Sequence, residues 1–482
     1  MATPIPDNRA RFTLGEVARA AGGLLVGGDP ALELVGVSTD SRSAASGTLF
    51  VALVGAAHDG HHHVDAARAR AAFPLVASGR GVEGARVEVD DTLVALGRLA
   101  RHYFERETSG RAVPVLAIGG AAGKTTTKTL AAAAVGALFG DTLVTAGNLN
   151  NRIGLPMTLF TLTPEHRAAV LEHGTSEPGE IAALAAISSP DVALVTNVGI
   201  EHSERLGDLE AIADEEGELL LAARRVAVAN ADDPLLLSRL ARARAGALTF
   251  GRSERADLRL LDRRMSADGS TRVLIRLRGR TLVGGAGARD LTLSTRLLGE
   301  SAATNLAAAL AGALALFGRP ASEGELARVA AALATVEAVP GRLRPLQMAG
   351  AFVLDDSYNA NPRSVAAAFA AAREVAERRG ARLVLALGDM LELGDLAPAS
   401  HREMLLAADL LGAAELLLVG DESSRAAEDL AGALRTPHRV FADSGQAAAA
   451  LAALLAPDDV LLVKGSRGLR MERLIESLEG PR

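Results

Sequence analysis

The residues best suited to chemistry form one short stretch, Gly120-Ala121-Ala122-Gly123-Lys124-Thr125-Thr126. An apolar run at 115–118 precedes it, and an alanine-rich run of helical propensity follows. A strand, a small-residue turn and Gly-Lys-Thr opening a helix make a phosphate-binding loop. Small residues let backbone N–H groups close around phosphate oxygens, and the helix N-terminus adds partial positive charge. Lysine brings a point charge to the β- and γ-phosphates, and the threonine hydroxyl is a magnesium ligand. Ile118 stands where the longer form of the motif has glycine, so the match is to Gly-x-x-Gly-Lys-Thr. Of 51 basic residues only three are lysine: Lys124, Lys128 and Lys464. Where nearly every cation is arginine, a retained lysine marks a place that a planar guanidinium does not suit.

Other polar groups recur just after apolar runs. Asn148, Asn150 and Asn151 follow one run, and Glu172 ends the next, where a phosphate-loop enzyme places an acidic group for magnesium. Thr196 to His202 follow a third run, and Asn230, Asp232 and Asp233 a fourth. Farther along come Asp355 to Pro362, Gly388-Asp389-Met390 and Lys464-Gly465-Ser466-Arg467. Any one of these is explained by capping. Their recurrence after successive strands favours a site, because in open α/β sheets chemistry gathers at the carboxyl ends of the strands.

The elements that must position these groups divide the chain into three. Residues 1–108 read as a small α/β unit, with the capping-box pattern Thr13-Leu14-Gly15-Glu16 opening a short helix. Thr39-Asp40-Ser41-Arg42 is either a solvated turn or a phosphate or carboxylate contact. His61-His62-His63 reads as a polar turn, since three adjacent histidines cannot all face one ion from a regular element. Residues 109–340 alternate strands (141–145, 168–171, 192–196, 226–229) with helices, which implies a mainly parallel sheet. Residues 252–296 read as an antiparallel appendage. Residues 341–482 repeat the alternation, with strands at 352–354, 383–387, 416–419 and 460–463 and no second phosphate loop.

Length and composition narrow the class. A chain of 482 residues supports two to four domains. A net charge of -7 without an arginine–aromatic block argues against generic nucleic-acid binding. The absence of cysteine removes disulfides, thiol nucleophiles and Cys-ligated zinc. The polar, proline-containing start does not read as a secretory leader, and the most apolar run (302–318) carries Thr304 and Asn305, so no membrane span is expected. The expectation is a cytoplasmic, monomeric protein.

These residues resemble the ATP-dependent Mur ligase family of peptidoglycan synthesis over nearly the whole chain. The resemblance is carried by Thr39 to Arg42, Asp59-Gly60-His61, Gly120 to Thr126, Gly147 to Pro156, Glu172 with Gly174 to Ile181, Asp355 to Pro362, Gly388 to Gly394 and Lys464 to Arg467. It implies an α/β protein of three domains: an N-terminal UDP-binding domain, a central P-loop ATPase domain with a mainly parallel sheet, and a C-terminal Rossmann-like domain. Tyr358-Asn359-Ala360-Asn361-Pro362 and Gly388 to Gly394 point to the branch that adds D-Ala-D-Ala to UDP-MurNAc-tripeptide through an acyl phosphate. The implied cofactors are ATP and two Mg²⁺ ions, with Thr125, Glu172 and His202 as metal ligands. The resemblance further implies nucleotide contacts from Gly120 to Thr126, Asn305, Arg342 and Asp356. Thr39, Ser41 and Arg42 would meet the uridine diphosphate. Asn148, Asn150, Asn151, Tyr358, Asn359, Asn361, Asp389, Lys464, Ser466 and Arg467 would lie near the tripeptide or dipeptide.

Three departures from the family pattern stand out. Glu216 occupies the position of a lysine that the family carbamylates with CO₂, so a fixed glutamate carboxylate is expected to take the carbamate's catalytic role, against a solvated acidic helix face. Gly119 replaces a frequent threonine, and Ser301-Ala302 replace a His-Asn pair before Asn305. Two other readings stay open: a sister ligase that adds the third residue of the peptide, and a silent relative that binds nucleotide without turnover.

Overall fold

The computed structural model describes residues 3–55, 58–265, 270–284 and 287–479. Residues 266–269, within the expected antiparallel appendage, and both chain ends lie outside the described residues. Three sheets carry most of the strands, one per expected unit, with a two-stranded pair, Arg11–Thr13 with Glu33–Val35, beside the first.

The N-terminal sheet has five strands, ordered Leu24–Val26, Arg86–Val89, Phe73–Ala77, Leu49–Val51, Val37–Ser38. Thr13 and Glu16 form the capping box the sequence predicts, opening the helix Leu14–Ala21. Within the histidine run, His61 is buried. Its Nδ1 lies 2.6 Å from Asp59 Oδ1, and its Nε2 accepts from Ala77 N–H at 2.9 Å. It fastens a turn to a strand, as expected of a structural polar turn.

The central sheet has nine strands: Ala288–Thr295, Thr271–Arg278, Leu258–Met265, Gly246–Gly251, Val226–Asn230, Val192–Val195, Val115–Gly119, Ala168–Glu172, Thr142–Val144. All neighbours from Leu258–Met265 onward are parallel, and the first two pairs are antiparallel. The antiparallel segment therefore extends the parallel sheet rather than hanging from it. The central strands are apolar throughout because helices cover both faces. One covering helix, Gly299–Phe317, is long and apolar enough to cross a membrane, yet it is mostly buried. Its alanines and Gly312 bring it close against Leu116 and Leu194 of the sheet.

The C-terminal sheet has six strands: Arg344–Met348, Ala351–Asp356, Val460–Lys464, Leu383–Gly388, Glu415–Val419, His438–Phe441. Only the first pair is antiparallel. Its edge strands, Arg344–Met348 and His438–Phe441, escape the sequence reading because neither is a continuous apolar run.

The N-terminal and central units share one core. Phe12, Tyr103 and Phe160 meet with ring centroids 5.6 to 6.1 Å apart, among Leu14, Leu96, Leu155 and Leu171. Tyr103 Oη donates to Leu162 O at 3.2 Å, so its polar end is satisfied. Phe160→Ala is expected to cost about 3–5 kcal/mol in denaturant unfolding. Amide exchange should accelerate on both sides of that core; acceleration confined to one unit would contradict a shared core.

Candidate active site

The phosphate-loop strand Val115–Gly119 leads into the helix Lys124–Phe139 through a tight turn. Gly120 (φ 116°) and Gly123 (φ 85°) take backbone conformations open to glycine, and a Cβ on Gly120 would lie 2.2 Å from Thr196 Oγ1. The loop is braced from behind. Ala121 N–H donates to Asn197 O (2.9 Å), Ala122 N–H to Asn197 Oδ1 (3.0 Å) and Gly120 N–H to Glu216 Oε2 (2.7 Å). Asn305, on the helix Gly299–Phe317, packs on Gly123, where a Cβ would lie 2.5 Å from its Oδ1. The N–H groups of the first helical turn, beginning at Lys124, have no intrahelical acceptor. They and the helix dipole favour an anion.

A cavity of about 690 Å³ opens over this turn. It is lined by Ala121 to Thr126, Asn148, Asn150, Asn151, Glu172, His202 and Asn305 of the central unit, and by Arg342, Asp356, Tyr358, Asn359, Asn361 and Lys464 of the C-terminal unit. Most of the sequence-predicted residues therefore converge on one volume, of a size suited to a small-molecule ligand.

Each of the three lysines pairs with a carboxylate in or beside this cavity; Lys128 and Lys464 are buried and Lys124 is partly so. Lys124 Nζ donates to Gly120 O (2.5 Å) and lies 3.4 Å from Glu201 Oε1. Burial opposes its charge, but Glu201, Glu216 and Glu172 together hold its pKa above the usual value. Burial raises the Glu201 carboxyl, against the pull of Lys124. Lys128 Nζ lies 3.1 Å from Glu172 Oε2 and donates to Gly147 O at 2.8 Å. Lys464 Nζ donates to Asp356 Oδ2 (2.6 Å) and Asn359 O (2.9 Å), and burial lowers its pKa.

Glu172 Oε1 accepts from Thr125 Oγ1 (3.2 Å) and Asn150 Nδ2 (2.8 Å), while buried Oε2 has only the Lys128 ammonium, 3.1 Å away. A carboxylate oxygen touching a threonine hydroxyl beside an anion-binding turn is the kind of oxygen donor set that a hard divalent cation takes. Magnesium is commonly held by one or two carboxylates together with substrate phosphates. Among the described residues no three His, Asp or Glu side chains gather as a ready-made cage. His202 lines the same cavity, its Nδ1 paired with Glu392 Oε2 of the C-terminal unit. Tyr358 is stacked between Arg342 (4.1 Å) and Arg467 (5.4 Å).

Several expected residues sit elsewhere. Thr39, Ser41 and Arg42 do not line the cavity, and Arg42, 88% exposed, folds back onto Asp40 at 2.7 Å. Asp389 caps the helix Asp421–Asp429 through Glu422 N–H (3.1 Å) and Ser423 N–H (2.8 Å). Ser466 Oγ accepts from Leu391 N–H at 2.9 Å, which places it in a loop anchor. Glu216 is fully buried behind the loop rather than in the cavity lining, with Oε1 lacking a partner. Gly119 makes room for it, since a Cβ there would lie 2.8 Å from Glu216 Oε2. Three residues given no role of their own from sequence also belong to the site: Glu201 beside Lys124 and Asn197 behind the loop, both within the polar stretch 196–202, and Arg363, whose Nη1 donates to Val198 O at 2.7 Å. The signal for Glu201 was its place beside His202 after a strand.

The Mur ligase middle domain matches residues 118–313, and the Mur ligase glutamate ligase domain matches residues 341–467. The UDP-N-acetylmuramoyl-tripeptide–D-alanyl-D-alanine ligase of Escherichia coli K12 is 36% identical, covering 97% of this chain and 98% of its own length. The enzyme of the same name from Synechocystis is 34% identical, covering 92% of this chain and 91% of its own. Among solved structures, MurF from Acinetobacter baumannii superposes with a TM-score of 0.85 at 27% identity, covering 98% of this chain and 100% of that one. MurF ligase from Thermotoga maritima in complex with ADP gives 0.78 at 26% identity, covering 92% and 96%.

Desolvation pushes the Glu216 pKa from 4.5 up to about 8, with Lys124 pulling the other way. A carboxyl that holds its proton more tightly folded than unfolded makes folding less favourable as pH rises through that window. Glu216→Gln should match the parent's stability near pH 4.5 and exceed it increasingly toward pH 8. Urea unfolding across the range checks this, and parallel profiles would contradict it.

Proposed function

The chain belongs to the Mur ligase family, and we propose how its cavity performs the reaction of the branch it matches over nearly its full length. It is an ATP-dependent ligase that joins D-alanyl-D-alanine to UDP-MurNAc-tripeptide, completing the pentapeptide precursor of peptidoglycan. The observation that carries the assignment of roles is the convergence of Lys124, Thr125, Glu172 and His202 with the Tyr358–Asn361 segment on one cavity.

A carboxylate does not accept an amine until one of its oxygens becomes a leaving group. The tripeptide carboxylate therefore attacks the γ-phosphorus of ATP, releasing ADP and forming an acyl phosphate. The amine of the dipeptide adds to the activated carbonyl, loses a proton, and phosphate departs as the amide forms. Phosphoryl transfer depends on positioning and on neutralising spread negative charge. In this reading the loop from Gly120 to Thr126 cradles the phosphates, and Lys124 leaves Glu201 to meet the β- and γ-oxygens. Asn305 meets the base, while Arg342 and Asp356 close on the nucleotide from the C-terminal unit. Thr125 and Glu172 would hold one Mg²⁺, and Glu172 with His202 a second. Bound there, the ions supply Lewis-acid neutralisation of phosphate and carboxylate oxygens. Asn148, Asn150, Asn151, Tyr358, Asn359 and Asn361 line the acceptor side. Thr39, Ser41 and Arg42 are assigned to the uridine diphosphate end, which requires Arg42 to release Asp40.

At the position of the family's carbamylated lysine this chain has Glu216, so no CO₂-derived group forms there. Glu216 acts from behind the phosphate loop, through the hydrogen bond that its Oε2 accepts from Gly120 N–H, its charge reaching Lys124 only as pH rises toward its raised pKa. In this reading the enzyme works in the cytoplasm as a monomer.

ADP formation should require UDP-MurNAc-tripeptide, D-Ala-D-Ala, ATP and Mg²⁺ together, with no response to added bicarbonate. Lys124→Ala should lower kcat by about 10²–10³-fold, the scale for losing one preorganised electrostatic group. Turnover with meso-diaminopimelate or lysine in place of the dipeptide would instead favour the sister ligase. Bicarbonate stimulation would refute the role given to Glu216.

A further inference from the structure

The contact between His202 and Glu392 crosses the boundary between the central and C-terminal units. Both residues hold left-handed backbone, φ 50° and 65°, a conformation costly for non-glycine residues and sustained only by surrounding contacts. Those contacts are present on either side. Ser203 Oγ donates to Leu393 O at 3.0 Å, and Gly394 packs on the Glu204 side chain. Glu392 is 58% exposed, so the pair adds little to folding, and its geometric effect on the imidazole is the more informative feature.

A carboxylate set against Nδ1 favours the form of the imidazole with its proton there, which leaves the lone pair on Nε2. A carboxylate behind a histidine in this way orients a metal ligand and raises its basicity. We propose that Glu392 is a positioning residue for His202, delivered by the C-terminal unit, so that docking of that unit completes the divalent-ion site. This rests on the reading of His202 as a metal ligand. It means that a residue of the Gly388–Gly394 segment serves the ion rather than the dipeptide. It also makes metal affinity depend on the arrangement of the two units.

The test is Mn²⁺ binding to the full-length protein with a non-hydrolysable ATP analogue, read by the EPR signal of free Mn²⁺. Glu392→Ala should weaken binding by about 10–100-fold, the scale for losing an outer carboxylate partner. Glu392→Asp should recover part of that loss. Ser203→Ala removes the neighbouring interdomain bond without touching the imidazole and should leave Mn²⁺ affinity unchanged. A loss in Ser203→Ala equal to that in Glu392→Ala would overturn the inference, because docking alone would then explain both. A loss in His202→Ala with none in Glu392→Ala would overturn it while leaving the metal reading intact. No loss in His202→Ala would overturn the metal reading itself.

Discussion

Three ammonium groups largely withdrawn from water, each set against a carboxylate, are the constraint around which the cavity is built: Lys124 with Glu201, Lys128 with Glu172, and Lys464 with Asp356. Withdrawing such charges from water is expensive, and removing one partner leaves the other uncompensated. The surrounding elements therefore have to hold both members in place. Lys124 and Lys128 lie one helical turn apart on the phosphate-loop helix, while Glu172 ends one neighbouring parallel strand and Glu201 lies in the loop that follows the other. The sheet order sets Val115–Gly119 between those strands, so the pairing follows from topology. An arriving triphosphate competes with Glu201 for Lys124, which exchanges one charge partner for another rather than exposing a bare cation.

The packing beneath is made of small residues. The helix Gly299–Phe317 lies close to the sheet because alanine and glycine face it, and this approach brings Asn305 against the loop at Gly123. With few aromatics in the chain, three of them, Phe12, Tyr103 and Phe160, join the N-terminal and central units.

Much of this was legible in the sequence because it is local. The phosphate loop declares itself by spacing, the parallel strands by apolar runs, and the importance of the three lysines by their rarity. Glu201, Asn197 and Arg363 were less legible, since their roles arise from contacts made across the chain: Arg363 reaches Val198 over 165 positions. Asp389 and Ser466 carry the residue types of a site but spend them on capping a helix and anchoring a loop, a distinction that only three-dimensional neighbours make. Glu216 was read from its place in a motif, and its burial behind Gly120 depends on a glycine 97 residues earlier leaving room.

The shared aromatic core has a mechanical meaning. Two of the three units are welded into a single body, whereas the third meets it across a seam of mixed character: Met265 and Leu298 of the central unit pack into the C-terminal core, beside the polar links Arg263 to Glu374, Arg363 to Val198 O and Ser203 to Leu393 O. A partly polar seam within one chain yields more readily than a shared core, so relative motion belongs at this boundary.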